Sequence, residues 1–288
     1  LHSFPTRRPS DLGAAPITAI TNGVHVPTWQ DARVRAALAP GKDELHQAQE
    51  LWAAHLAMKA ELCELVEART GVKLATDRIV IGFARRAAPY KRADLILGDE
   101  ARLERLLRDR GAQIVYAGKA HPRDAGGKAL VSRLVGAARR WPGQVVFLEN
   151  YDMTVGAAMT RGADVWLNNP RRPLEASGTS GMKAAMNGVL NVSILDGWWP
   201  EGCEHGVTGW KIGDPEPGDD AFDDAAAAHI DERDRARLYE VLEQEVLPTY
   251  YGDRARWVRM MRASIAMSAW RFSSDRMVEE YVARMYTT

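Results

Sequence analysis

The run Arg78-Ile79-Val80-Ile81-Gly82-Phe83-Ala84, closed by the basic pair Arg85-Arg86, is a short β-branched segment that reads as a strand ending in a charged loop. Runs of the same kind recur at Gln113 to Ala117, Gln144 to Leu148, Asp164 to Leu167 and Val189 to Ile194, with helical patterns between them. Strand, helix, strand repetition predicts a parallel sheet with helices on both faces, an α/β Rossmann-like domain whose ligand site lies at the carboxyl ends of the strands. Upstream, Leu45, Leu51, Trp52, Leu56, Leu62, Leu65 and Val66 recur near helical spacing, predicting a long amphipathic helix over Asp43 to Ala68 with Glu and Lys on its other face. Downstream, from about Ala221 to the end, the pattern predicts helices over Asp231 to Glu245, Asp253 to Ser268 and Ser273 to Met285, with Pro248 and Gly252 as breaks. There is no internal repeat, and the acidic stretch Asp214 to Asp224 reads as a surface loop.

Composition narrows the function classes. The 288 residues, 46% of them hydrophobic, supply a sizeable core. Lysine plus arginine and aspartate plus glutamate each number 38, so no global positive field attracts nucleic acid or an anionic membrane. Only Cys63 and Cys203 are present, which offers no disulfide framework and suits a reducing, cytoplasmic compartment. No apolar run approaches the ~20 residues of a membrane span, and no secretory leader is visible. Residues 1–12 lack hydrophobic period and read as a non-native or disordered leader, with the domain proper over 13–288.

The segment Glu175-Ala176-Ser177-Gly178-Thr179-Ser180-Gly181-Met182-Lys183, continuing to Asn187-Gly188, carries the most chemistry. It reads as a glycine-loosened loop opening a helix, whose free N–H groups favour an anion. Lys183 falls about one turn into that helix, where its amine reaches back over the loop and can condense with an aldehyde cofactor. The plain alternative is a Gly/Ser turn with a solvated lysine. Arg86 and Lys91 lie five apart after the first strand and suit a phosphate dianion, one bidentately and one as a point charge; the alternative is a solvated basic turn.

The wording of Pro173 to Lys183, together with Asp196-Gly197-Trp198-Trp199, closely resembles the α-glucan (glycogen, starch and maltodextrin) phosphorylases, and most of all their shorter bacterial and archaeal forms. Further matches follow in that family's order: Thr21-Asn22-Gly23 with Trp29, Arg85-Arg86 with Tyr90-Lys91-Arg92, Ala117-Gly118-Lys119-Ala120, and Phe147-Leu148-Glu149-Asn150-Tyr151. The resemblance implies the carboxy-terminal Rossmann-like half of a two-domain glycosyltransferase of the GT-B type, without its amino-terminal domain, in a full-length protein that forms a homodimer in many members. It implies a pyridoxal 5'-phosphate cofactor on Lys183, with Thr179, Ser180 and Arg85 toward the cofactor's phosphate and Trp29 and Tyr151 beside its ring. It further implies Arg86 and Lys91 on the substrate phosphate, and Glu175, Ser177, Gly178 and Asn22 on sugar hydroxyls. The partners implied are α-1,4-glucan and inorganic phosphate, converted reversibly to α-glucose 1-phosphate with retention of configuration. Ser180 stands where the family usually has glycine and Arg85 where it usually has lysine; Asp152 stands where animal-type enzymes have a basic residue.

A sugar-nucleotide-dependent glucosyltransferase of the glycogen-synthase type shares the architecture and the Arg/Lys pair. Such enzymes often carry a second glutamate eight residues after the first; here that position is Lys183, an ammonium that favours pyridoxal phosphate. A fragment that binds cofactor or glucan without turnover is the other alternative. Cys203-Glu204-His205 has poor spacing for a tetrahedral metal site, so no metal is expected there. His121, beside Lys119 and Arg123, reads as part of a loop cation cluster.

Overall fold

A computed structural model describes residues 18–216 and 224–286. The leader expected over residues 1–12 and most of the acidic stretch, residues 217–223, lie outside the described residues. Among the described residues, six strands form one parallel sheet: β1 Val80–Ala84, β2 Gln113–Ala117, β3 Val145–Leu148, β4 Val165–Asn168, β5 Leu190–Ser193 and β6 Gly209–Lys211, in the order β3-β2-β1-β4-β5-β6. This is the order of the doubly wound dinucleotide-binding fold. The five predicted strands are all present within two residues of their expected bounds. β6 was not expected: three residues beginning with Gly209 are too short to show a period.

The helices are α1 Val26–Trp29, α2 Ala32–Ala37, α3 Glu44–Thr70, α4 Glu100–Glu104, α5 Ala125–Arg140, α6 Met153–Gly162, α7 Thr179–Ala185, α8 Trp199–Gly202, α9 Asp224–Val241, α10 Leu247–Gly252, α11 Arg254–Ala269 and α12 Ser274–Tyr281. None of the described helices is long and apolar enough to cross a membrane. Side-chain caps fix several starts: Asp43, Asp124, Asp152, Asp253 and Ser273 each accept a hydrogen bond from a backbone N–H of the first turn.

The sheet separates two cores. Val80, Ala84, Val115, Val146, Leu148 and Trp166 pack with Leu62, Val66, Val155 and Met159 of α3 and α6 on one face. Ile81, Phe83, Ile114, Tyr116, Leu167 and Val192 pack on the other, against α5, α9 and α11. A third, smaller cluster gathers Met182, Met186, Trp198, Trp199 and Phe272 beneath α7.

Two expectations need correction. The buried stripe of α3 is Leu51, Ala54, His55, Met58, Lys59, Leu62, Cys63 and Val66, whereas Leu45 and Leu56 are exposed. Lys59, placed by pattern on the solvent face, is fully buried because Asp164 is buried opposite it. Its Nζ lies 2.6 Å from Asp164 Oδ2, 2.6 Å from the Arg78 carbonyl and 2.7 Å from the Tyr250 hydroxyl. His55 Nε2 lies 2.8 Å from Asp164 Oδ1, and the Val80 N–H donates to Asp164 Oδ2 at 2.7 Å. Burial pushes the Asp164 carboxyl up, but the Lys59 charge and the His55 hydrogen bond outweigh it and hold the group below the usual carboxylate range. The second correction concerns Pro248, which does not break its helix. A π-helical turn, Leu242–Val246, joins α9 to α10 and absorbs the proline's missing N–H, and the helix ends at Gly252 as expected. The helical segment is also already formed at Asp224, seven residues before Asp231.

Candidate functional site

Sheet topology decides where a site forms. The chain winds outward from β1 through β2 to β3, then returns to β4 beside β1, so the loops after β1 and β4 diverge and leave a crevice at the carboxyl edge. Arg85 and Arg86 follow β1, Lys119 follows β2, Tyr151 follows β3, Asn169 to Lys183 follow β4, and Asp196-Gly197 follow β5. Every predicted site residue except Asn22 and Trp29 thus lies on this edge.

Three charges meet across the crevice. Arg85 Nη2 lies 2.6 Å and Lys91 Nζ 2.8 Å from the same oxygen, Glu175 Oε2. All three residues are buried. Arg85 also donates to Asn168 Oδ1, whose amide in turn donates to Ser193 Oγ at 3.0 Å. Lys91 Nζ stands 4.7 Å from the centre of the Tyr90 ring. Glu175 is fixed through its backbone: its N–H donates to Asp196 Oδ2 at 2.9 Å, and the Gly197 N–H donates to Asp196 Oδ1 at 2.9 Å. Burial pushes the Asp196 carboxyl up to about 6, with the Glu175 charge acting in the same direction. Two cations against one glutamate leave a net positive centre, suited to an anion.

Helix α7 begins beside this cluster. Gly178 has φ 89°, a left-handed conformation that glycine adopts without strain, and it starts the helix with no side-chain cap. The Ser177 and Ser180 hydroxyls are buried without a hydrogen-bond partner among the described residues. One turn on, the Lys183 amine lies 3.4 Å from the centre of the Trp29 ring, and burial holds it below the usual lysine value. The amine has no hydrogen-bond or ion-pair partner among the described residues. Orphan hydroxyls, an uncapped helix start, buried cations and a half-buried amine fit an aldehyde that carries a phosphate.

The remaining predicted residues are spread more widely. Tyr151 packs near Arg85 with its hydroxyl against Gly156, and burial pushes its phenol up. Thr179 opens α7. Arg86, five residues before Lys91, is exposed. Asn22 is exposed, in a segment pinned to the carboxy-terminal region: Val24 N–H donates to the Phe272 carbonyl at 2.8 Å, and Arg276 Nη2 donates to the Asn22 carbonyl at 3.3 Å. Asp152 caps α6 and lies 4.0 Å from Arg69, so its carboxylate has a helical duty. His121 is exposed and accepts the Arg123 N–H at Nδ1. His205 pairs with Glu245 at 3.0 Å, and burial pushes the Cys203 thiol up to about 12.

Sequence reasoning gave no role to Asn168, Asp196 or Asn187. Asn168 is the last residue of β4, a polar end to an apolar strand at the switch point, which is a usable signal. Asp196 lies in a matched motif but acts through two backbone N–H groups, which spacing does not reveal.

Known proteins place this geometry. The model of the carbohydrate phosphorylase family matches residues 17–201. Maltodextrin phosphorylase of Thermococcus litoralis is 43% identical, over 96% of this chain and 36% of that protein. Glycogen phosphorylase of Aquifex aeolicus is 40% identical, over 94% of this chain and 44% of that protein. Glycogen phosphorylase of Mycobacterium tuberculosis is 40% identical, over 96% of this chain and 36% of that protein. The chain thus spans less than half the length of these relatives. With most of its matched segments at one edge of a doubly wound sheet, the chain belongs to the carbohydrate phosphorylase family.

Proposed function

We propose that this chain forms the phosphate- and cofactor-binding part of an α-1,4-glucan phosphorylase, which uses inorganic phosphate to release α-glucose 1-phosphate from a glucan. The observation that carries this reading is the start of α7, where Gly178 lies beside the Arg85 guanidinium of the buried Arg85, Lys91 and Glu175 cluster and where Lys183 follows one turn on, half-buried and without a hydrogen-bond or ion-pair partner among the described residues. Names of the relatives support the glucan as substrate.

In this reading Lys183 holds pyridoxal phosphate, Thr179 and Ser180 offer donors to its phosphate, and Tyr151 and Trp29 flank its ring. When bound, the cofactor supplies a phosphate group that exchanges a proton with substrate phosphate. Arg85, Lys91 and the exposed Arg86 offset the repulsion between two adjacent anions, an electrostatic role that is strongest where water is excluded. Glu175 releases part of its hold on the cations and accepts sugar hydroxyls, with Ser177, Gly178 and Asn22 completing that contact; a carboxylate so placed orients substrate. The further length of the relatives is the source of the facing wall of the cleft.

The test is phosphate-dependent formation of sugar phosphate from maltodextrin, run with this chain loaded with pyridoxal phosphate and with the same sequence extended to the relatives' length. Product from the extended protein only supports the reading in full. Product from neither, with tight binding of a nucleoside diphosphate glucose instead, contradicts it.

A further inference from the structure

Asn187 is fully buried and uses every polar atom of its side chain. Its Oδ1 accepts from the Asp31 N–H at 2.8 Å, and its Nδ2 donates to the Trp29 carbonyl at 2.9 Å and the Lys183 carbonyl at 2.8 Å. Gln30, also buried, answers from the other side, its Nε2 donating to the Met186 carbonyl at 2.7 Å. Trp29, Gln30 and Asp31 are therefore fastened to the end of α7 across sequence separations of 156 and 158 residues.

Neither amide is aimed into the crevice. Both bear on where Trp29 stands, and the Trp29 ring is what covers the Lys183 amine. Helix α7 supplies its own backbone bonds, so a bare turn would close this end of the helix without either side chain. Long-range amides bonded to main chain on both elements fix a relative position, because each lost bond would strand a buried donor or acceptor. Arg161 braces the same segment from outside, its Nη2 donating to the Thr28 carbonyl at 3.0 Å.

We propose that Asn187 and Gln30 are positioning residues that clamp Trp29 over Lys183, so that the indole keeps water from the amine that receives the cofactor. The proposal rests on the reading of Lys183 as the cofactor lysine. A shielded amine is more often neutral, and the neutral amine is the nucleophile toward an aldehyde.

The test reads the amine without any cofactor. The 288-residue chain is trace-acetylated with acetic anhydride between about pH 7 and about pH 11, around the ordinary lysine value, and acetylation is followed at Lys183, with the exposed Lys73 and Lys128 as internal references, by peptide mass spectrometry. The amine nitrogen attacks the anhydride carbonyl, acetate leaves and the amine proton goes to solvent. In the parent chain the midpoint at Lys183 is expected below those of Lys73 and Lys128. Asn187→Ala and Gln30→Ala are each expected to raise it by about half a unit or more, toward the exposed references. Trp29→Leu should do the same, and adding Asn187→Ala to Trp29→Leu should raise it no further. A parent-like midpoint at Lys183 in a folded Asn187 or Gln30 variant, or a full additive effect in the double variant, overturns the proposal. Should Asn187→Ala not fold, Gln30→Ala alone decides. A failure of pyridoxal phosphate to attach to Lys183 leaves this measurement intact, so the two readings fail separately.

Discussion

At the residue scale the central contact is an internal one: Glu175 occupies, with one oxygen, the position between Arg85 and Lys91 that an incoming anion would take. The glutamate is thus a competitor for the cations it orients. Glu175→Gln removes the charge and keeps the shape, so it should bind inorganic phosphate more tightly than the parent while losing roughly 3–5 kcal/mol of stability from the uncompensated cations. Thermal melts with increasing phosphate read both effects: a lower midpoint without phosphate, and a larger phosphate-induced rise. Equal phosphate-induced rises in parent and variant would show that Glu175 does not compete. Asp196 gives a second residue-level test. Its folded value of about 6 lies above the ordinary aspartate value, so the folded state holds the proton more firmly. Stability from this group is fully present below about pH 4 and is lost as pH rises toward 6, on the order of 3 kcal/mol in total. Asp196→Asn should flatten that part of the stability-versus-pH curve; an unchanged slope would reject the assignment.

At the element scale, α3, β1, β4 and α10 are joined by one buried charge network built from His55, Lys59, Asp164 and Tyr250. Lys59→Met leaves the buried Asp164 carboxylate with only the His55 ring and the Val80 N–H, without its lysine counter-charge, and should cost roughly 3–5 kcal/mol in urea unfolding. A loss under about 1 kcal/mol, the size of a surface pair, would mean that the network is not holding these elements. The same network marks the limit of what the sequence makes legible. β-branched runs buried on both faces announce themselves, so five strands and the wound topology were readable. Lys59 and His55 were not, because helical period assigns polar residues to solvent and only the distant Asp164 reverses that. Pro248 likewise reads as a stop until a π-helical turn upstream is seen to accommodate it. At the crevice, the position of Arg85, Lys91, Glu175 and Lys183 after the strand ends was legible, because matched wording marks those segments. Asn187 stood in the same wording without a role, since its bonds run to main chain 156 and 158 residues away.

At the scale of the whole molecule, the winding of the sheet gathers loops from five strand ends at one edge, while the carboxy-terminal helices close the opposite core and anchor the segment that carries Asn22. Family membership and this geometry support one central claim, that Lys183 is the attachment point of pyridoxal phosphate in a phosphate-handling site. The most direct measurement mixes the 288-residue chain with pyridoxal phosphate, reduces with borohydride, and locates the pyridoxyl group by peptide mass spectrometry, beside a Lys183→Ala chain of equal thermal stability. Selective labelling of Lys183, lost in the variant, is the predicted result; equal incorporation in both chains, or labelling spread over the exposed lysines, would contradict it.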